Sequence, residues 1–258
     1  MSTVEAWAKE FVLSTELATK LAPPPIPAIW EEAPSPCRLT APGRPRELTM
    51  TARAPKSPGD GALRSPERRA ELIHTFLHHE LQAAELMAWA LLAFPETPRA
   101  FRRGLLGILL DEVRHMGLYR DYLSSLGFDY GSFPVRDWFW QRVPACPTAA
   151  HFAALMGMGF EGGNLDHTRR FAARLRAAGD LRGAELEERI GEEEIPHVRF
   201  ALSWFQKWTH EDSFRGWTSY LVPPLTPTVM RGEPINREDR LRSGMSERFI
   251  DDLAAWSG

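Results

Sequence analysis

Residues 112–115 read Glu-Val-Arg-His, and residues 194–197 read Glu-Ile-Pro-His. Residues three apart lie on the same face of an α-helix, so each Glu-x-x-His pair can bind one metal ion from a single helix. A lone glutamate precedes each pair, Glu80 before the first and Glu161 before the second. The second set repeats the first at an offset of 81 or 82 residues. This order indicates one helical hairpin used twice, each half with one lone Glu and one Glu-x-x-His.

The sequence around these residues is helical. A Ser65-Pro66-Glu67 start and a proline or glycine after each of the first three apolar-periodic stretches predict four long helices, over residues 66–94, 98–126, 148–178 and 181–208. Short links join the first helix to the second and the third to the fourth, and a long connection over 128–147 joins the two pairs. The predicted fold is therefore all-α, a ferritin-like four-helix bundle with a long crossover between helices 2 and 3.

Proline divides the bundle from the segment before it. Eleven of the 21 prolines lie at or before Pro66, so residues 22–65 should be extended and irregular. A short amphipathic helix is predicted before them, with Val4, Trp7, Phe11 and Leu17 on one face. Three domains are predicted: 1–65, an N-terminal helix and Pro-rich arm; 66–210, the bundle; and 211–258, a C-terminal extension with a short helix near 247–256. The arm is expected to pack on the bundle; a partly disordered leader is the alternative.

Six residues form the predicted metal site. Four carboxylates that converge in a core carry a charge of −4, which two divalent cations would balance, with neutral imidazoles completing the coordination. A mixed set of carboxylate and imidazole ligands suits iron or manganese. The sequence therefore predicts two iron ions, with manganese as the alternative, and Glu112 and Glu194 as the bridging pair. The predicted ligands are Glu80, Glu112, His115, Glu161, Glu194 and His197.

Pro196 lies inside the second Glu-x-x-His and is expected to cause a kink or a π-bulge, which leaves the choice between Glu193 and Glu194 open. The remaining acidic neighbours of the ligands are interpreted as surface residues or as hydrogen-bond partners of the ligands. These neighbours are Glu85, Asp111, Glu192 and Glu193.

Two further features have two interpretations each. Gly162 and Gly163 follow Glu161 directly, and they provide either space beside the metals or close helix packing. Tyr119 lies four residues after His115, and it is either a buried structural residue or a redox-active tyrosine.

Composition limits the class of protein. The net charge of −3 and the pI near 6.3 argue against a general nucleic-acid binder. The longest apolar run, Leu86–Phe94, is too short to cross a bilayer, and Glu5, Lys9 and Glu10 interrupt any signal-peptide pattern. Two cysteines cannot form a disulfide framework, so a reducing cytoplasm is the expected location.

The chain resembles the ferritin-like superfamily, which includes bacterioferritins, rubrerythrins, ribonucleotide-reductase small subunits and di-iron hydroxylases. More narrowly, His-His-Glu-Leu-Gln-Ala-Ala-Glu-Leu-Met at 78–87, Arg-His-Met-Gly-Leu-Tyr at 114–119 and Asn-Arg-Glu-Asp-Arg-Leu at 236–241 are similar to the DUF455 family. The resemblance covers the chain from about Pro58 onward. It implies the bundle and a di-metal site at the six residues, but no particular substrate.

Three functions are compatible with this pattern. The first is a di-iron oxidoreductase that activates dioxygen to oxidise or hydroxylate an unidentified small molecule, with an electron-donor protein as its partner. The second is iron binding or ferroxidase activity without an organic substrate, although an arm of ~65 residues and an extension of ~45 would have to fit into a storage shell. The third is a metal-stabilised scaffold without catalysis. No nucleic-acid or membrane partner is expected, and a homodimer is compatible with the sequence.

Overall fold

The computed structural model describes residues 2–53, 58–59 and 61–258, and it is helical. Within these ranges no strand occurs, and one isolated parallel bridge joins Met50 to Val135. The chain divides into two compact units, Met1–Pro144 and Ala145–Gly258. None of the helices in the described ranges is both long and apolar enough to span a membrane. The expected irregular course of residues 22–65 is observed up to residue 53, a 3₁₀ turn occupies Ala62–Arg64, and residues 54–57 and 60 lie outside the described part.

The first unit contains two long helices joined by the five residues 94–98. Both helices agree with the predicted bounds to within one residue. Pro66 occupies the first turn as expected, but the side chain of Ser65 makes no capping hydrogen bond. The short link makes the two long helices neighbours, and they pack against each other. The α-helices in the described part of this unit are α1 (Val4–Leu13), α2 (Leu17–Leu21), α3 (Pro66–Ala93) and α4 (Arg99–Ser125).

Helix α1 is the amphipathic helix that the apolar spacing predicts. Val4, Trp7 and Phe11 are buried, and α1 packs on α3. The hydroxyl of Thr3 accepts a hydrogen bond from the backbone of the first turn and fixes the start of the helix. The prediction was wrong for Leu17, which is half-buried and begins α2 because the chain leaves the helical conformation after Leu13.

The Pro-rich arm packs on the long helices of its own unit. The guanidinium of Arg102 lies 4.8 Å from the centre of the Trp30 ring, a cation–π contact. The indole N–H of Trp89, which is buried on α3, donates to the carbonyl of Leu39. These contacts agree with the expectation that the arm packs on the helices.

A buried polar stripe on α3 binds the connection that follows α4. The spacing of its residues places them on one face of the helix, about half a turn away from Glu80. Each of them contacts residues of the segment 130–140, so this segment runs beside α3 and does not form a tight hairpin. The stripe consists of His74, His78, Gln82 and Glu85, all of them buried.

Glu85 is the centre of a buried ion-pair network. Its carboxylate accepts hydrogen bonds from Lys20 Nζ at 2.7 Å, from Arg44 Nη1 at 2.6 Å and from the Trp140 indole at 2.8 Å. Burial lowers the pKa of Lys20, although the carboxylate of Glu85 opposes the shift. Glu85 is therefore not a surface residue, and none of these three hydrogen bonds joins it to a predicted metal ligand. The sequence interpretation was wrong because the cations that neutralise Glu85 come from the arm.

His74 should make the protein sensitive to acid. It accepts the backbone N–H of Gly131 at 2.9 Å, and burial together with the nearby His78 lowers its pKa from 6.5 to about 4. The unfolded chain therefore takes up this proton first as the pH falls. The contribution of His74 to the free energy of unfolding is therefore constant above pH 6.5 and decreases as the pH falls towards 4. The total decrease is roughly 3 kcal/mol, because each pKa unit corresponds to about 1.36 kcal/mol. In urea unfolding at several pH values, His74→Gln should show a flatter pH dependence; parallel curves would contradict the assignment.

The second unit contains the third and fourth predicted helices and the C-terminal segment. The predicted helix 148–178 occurs as three consecutive helical stretches, the middle one a nine-residue π-helix, and the predicted helix 181–208 is one long helix. The elements are α5 (Ala149–Phe152), the π-helix (Ala153–Glu161), α6 (Gly162–Ala177), α7 (Leu181–Thr209), α8 (Phe214–Thr218), a 3₁₀ turn (Pro227–Met230), α9 (Arg237–Arg242) and α10 (Glu247–Ala255).

Pro196 does not interrupt its helix. Helix α7 is α-helical from Leu181 to Thr209, so the π-bulge expected near Pro196 is absent from this helix. The physical reason is the position of Pro196 on the exposed face, where the carbonyl of Glu192 that loses its helical donor can bind water. The wider helical turn lies instead in the segment that leads to Glu161.

Candidate metal centre

The first unit brings three of the predicted ligands together. Glu80 lies in the middle of α3, and Glu112 and His115 lie one turn apart on α4; all three are at most 3% exposed. A ligand atom from each residue lies within 4.8 Å of those from the other two. His115 Nδ1 is 3.4 Å from Glu112 Oε2, so the imidazole and the carboxylate of the Glu-x-x-His pair already face each other.

The second unit brings together the corresponding three residues. Glu161 is the last residue of the π-helix, and Glu194 and His197 lie one turn apart on α7; all three are at most 3% exposed. Their ligand atoms also lie within 4.8 Å of one another, and His197 Nδ1 is 3.1 Å from Glu194 Oε2. Each cluster therefore contains two glutamates and one histidine, and in each the imidazole faces the carboxylate of its own Glu-x-x-His pair.

The structure distinguishes Glu194 from Glu193. Glu194 is fully buried within the cluster, whereas Glu193 is partly exposed and pairs with Arg189, four residues earlier on the same helix. Because α7 continues through Pro196 without an extra residue, the spacing of three between Glu194 and His197 keeps both on one face.

The chemistry of each cluster fits a metal ion. Two carboxylate oxygens ~4.8 Å apart repel each other by roughly 3.5 kcal/mol at the effective dielectric of a protein. A divalent cation balances two carboxylates, and a neutral imidazole completes a set of three donors. Ligand atoms on opposite sides of one ion are about 4 Å apart, since metal–nitrogen and metal–oxygen bonds are ~2.1 Å long. These buried carboxylate and imidazole clusters can therefore hold a metal ion.

The other acidic neighbours of the predicted ligands lie on the surface. Asp111 is about half exposed and pairs with Arg114, and Glu192 is half exposed and pairs with Arg242. The hydrogen bond to Arg242 lowers the pKa of Glu192. Tyr119 is buried, with its ring 6.0 Å from that of Phe76, and its redox role stays a prediction.

Gly162 and Gly163 face the C-terminal segment of their own unit. A Cβ atom on Gly162 would lie 3.6 Å from Arg240 and Met245, and one on Gly163 would lie 3.5 Å from the backbone of Met230. These are ordinary van der Waals distances, so close packing does not require glycine at either position, and both interpretations stay predictions. Close packing does require a glycine at 157, where a Cβ would overlap the side chain of Ala201.

Sequence reasoning missed the π-helix before Glu161 and the buried acidic residue Asp166 that follows it. Glycines at 157 and 159 were a signal of close approach, but they do not distinguish a π-turn from an α-turn. Asp166 lies in polar surroundings along the chain, and only its burial separates it from a surface carboxylate.

Comparison with known proteins agrees with the predicted relationship. An uncharacterized protein of Haemophilus influenzae is 24% identical over 212 residues, which cover 77% of this chain and 72% of the relative. No solved structure matches the chain. The family model described as "Protein of unknown function (DUF455)" matches residues 3–251, which include all six predicted ligands. The chain therefore belongs to the DUF455 family.

Proposed function

We propose that the two clusters together bind two divalent metal ions in the core of a ferritin-like four-helix bundle. The observation that carries this proposal is the duplication: each half supplies one lone glutamate and one Glu-x-x-His pair, all of them buried. One glutamate from each of two helices and a Glu-x-x-His from each of two others is the ligand set of the carboxylate-bridged di-iron and di-manganese proteins of this bundle type. Iron is the proposed metal, and manganese is the alternative.

The proposed activity is the oxidation or hydroxylation of a small organic molecule with dioxygen. When bound, two ferrous ions would supply the electrons that reduce dioxygen. The protein provides four buried carboxylates, which favour the higher metal charge of the oxidised state, and two imidazoles that must be neutral to bind. The burial of all six side chains keeps bulk water away from the site. An electron-donor protein is the partner that such a reaction needs.

The long segments outside the bundle support an enzyme rather than an iron store. The arm packs on α3, and the C-terminal segment packs on the π-helix and on α6. A storage shell of many copies would have to accommodate both segments on every subunit. Ferroxidase activity without an organic substrate is the alternative that the experiment below tests.

Metal analysis combined with an oxygen pulse tests the proposal. Metal-free protein titrated anaerobically with ferrous iron should bind two ions per chain, and mixing with dioxygen should then produce a transient absorbance. Oxidation that stops after two ions per chain supports an enzyme that awaits its substrate, whereas continued oxidation and deposition of further iron supports the ferroxidase alternative. Binding of less than one ion per chain would contradict the metal centre itself.

A matched pair of variants on α7 tests the assignment of the ligand. Glu194→Gln removes a buried carboxylate charge. It should lower the affinity for iron by at least about tenfold, because loss of a ligand, or of a residue that supports a ligand, typically costs this much or more. Glu193→Gln, one residue earlier and on the partly exposed face, should bind iron like the original protein. Equal affinities for the two variants would show that Glu194 is not a ligand.

A further inference from the structure

Asp166 and Arg240 form a fully buried ion pair in the second unit. Arg240 donates from Nε to Oδ1 at 3.0 Å and from Nη2 to Oδ2 at 2.7 Å, and neither side chain is exposed. The same carboxylate accepts the backbone N–H groups of Gly232 and Asn236, each at 2.8 Å. One carboxylate on α6 therefore fixes the C-terminal segment at three places, residues 232, 236 and 240.

The C-terminal segment fixed in this way packs on the π-helix. Arg240 also donates to the carbonyl of Met230, at 3.2 Å, and the Met230 side chain is fully buried. A Cβ atom on Gly159 would lie 2.6 Å from Met230 Sδ, so the thioether fills the place that a side chain at 159 would need. The 3₁₀ turn that ends at Met230 packs along the same π-helix.

The π-helix is longer than is usual for this kind of helix. A π-turn holds one residue more than an α-turn and is rarely found beyond a single turn, whereas this segment has nine residues. Conversion to α-helix would add rotation over nine residues and would turn Glu161, the last of them, away from its present face. Gly157 against Ala201 and Gly159 against Met230 are the close approaches that the π-helical path allows.

We propose that Arg240 is a positioning residue for Glu161. Its hydrogen bonds to Asp166 and to the Met230 carbonyl, together called the clasp, hold the C-terminal segment on the π-helix. The π-helix in turn fixes the position of the Glu161 carboxylate. The consequence for metal binding rests on the function proposed above. The mechanical part of the proposal, that Arg240 holds the C-terminal segment on the π-helix, does not rest on that function, because it involves only contacts within the protein. The stretch Asn-Arg-Glu-Asp-Arg-Leu at 236–241 thereby acquires a role, since it supplies both Asn236 and Arg240.

Hydrogen–deuterium exchange of metal-free protein tests the mechanical part. Arg240→Gln leaves the Asp166 carboxylate buried without its cation, and amides in 153–161 should exchange at least about tenfold faster. Arg237→Gln is the matched control, because Arg237 lies on the same helix, about half exposed, in a surface pair with Asp251. Unchanged exchange of 153–161 in folded Arg240→Gln protein would overturn the proposal. If that variant does not fold, Arg240→Lys keeps the charge but loses the paired hydrogen bonds, and the same criterion applies to it.

Iron stoichiometry tests the consequence for Glu161. Arg240→Gln should bind about one ion per chain where the original protein and Arg237→Gln bind two, because Glu161 closes the coordination of one ion. Two ions bound with unchanged affinity, despite faster exchange in 153–161, would overturn the positioning role. If the original protein binds no iron, the function proposed above fails, and the exchange experiment still decides whether the clasp holds the π-helix.

Discussion

Replacing Glu112 with alanine is expected to reduce occupancy at both metal positions, whereas replacing Glu80 with alanine should deplete one. The reason is geometric. In each Glu-x-x-His pair the imidazole faces its own carboxylate, at 3.4 Å in the first pair. In the proposed site the imidazole would bind one ion, and the carboxylate would be shared between that ion and the second. Glu80 is the one predicted ligand on α3, and it would complete the coordination of one ion. In a two-metal site with ions about 3.5–4 Å apart, loss of a bridging ligand affects both ions.

Metal analysis after anaerobic loading measures this difference. The original protein should hold two ions per chain, Glu80→Ala about one, and Glu112→Ala fewer than one. Asp111→Asn is the control for Glu112→Ala, because Asp111 precedes it on the exposed side of α4. Equal and undiminished binding in both alanine variants would show that the site lies elsewhere or does not exist.

Replacing Glu85 with alanine is expected to lower the free energy of unfolding by roughly 3–5 kcal/mol, the typical cost of removing one partner from a buried ion pair. Lys20 would lose its buried carboxylate partner, and Arg44 would keep only its pair with Asp137. The indole N–H of Trp140 would lose its acceptor as well. Because Lys20 and Arg44 belong to the first 65 residues, the arm should also detach more easily.

Urea unfolding and limited proteolysis measure the two effects. Glu85→Ala should unfold at a lower urea concentration, and its arm should be cleaved faster than that of the original protein. Glu71→Ala, which removes a carboxylate from an exposed pair with Arg68 on the same helix, should change the free energy of unfolding by less than about 1 kcal/mol. A loss in Glu85→Ala as small as that of the control would mean that the buried network contributes little to stability.

The four long helices and the six buried candidate ligands could be predicted from the sequence because both depend on local spacing. The ends of α3 and α4 follow from the nearby Pro95 and Gly127, and the observed bounds of α3, α4 and α7 agree with the prediction to within one residue. The ligand pairs follow from the three-residue separation of Glu and His, which any α-helix places on one face. The burial of Glu80, Glu112 and Glu161 shows that acidic residues do occur on inward faces here, as the pattern required.

The environment of Glu85 and the path of the chain before Glu161 could be decided only by the tertiary structure. Glu85 follows Glu80 on the same helix and has the same chemistry, but cations from 41 and 65 residues earlier in the chain neutralise it. The π-helix likewise depends on Met230, about 70 residues later, which fills the space beside Gly159. Spacing along a helix determines which residues share a face, because that geometry is local. Local spacing does not determine which groups from distant segments pack against that face. Those contacts decide whether a buried carboxylate pairs with cationic side chains or lies beside other potential metal ligands.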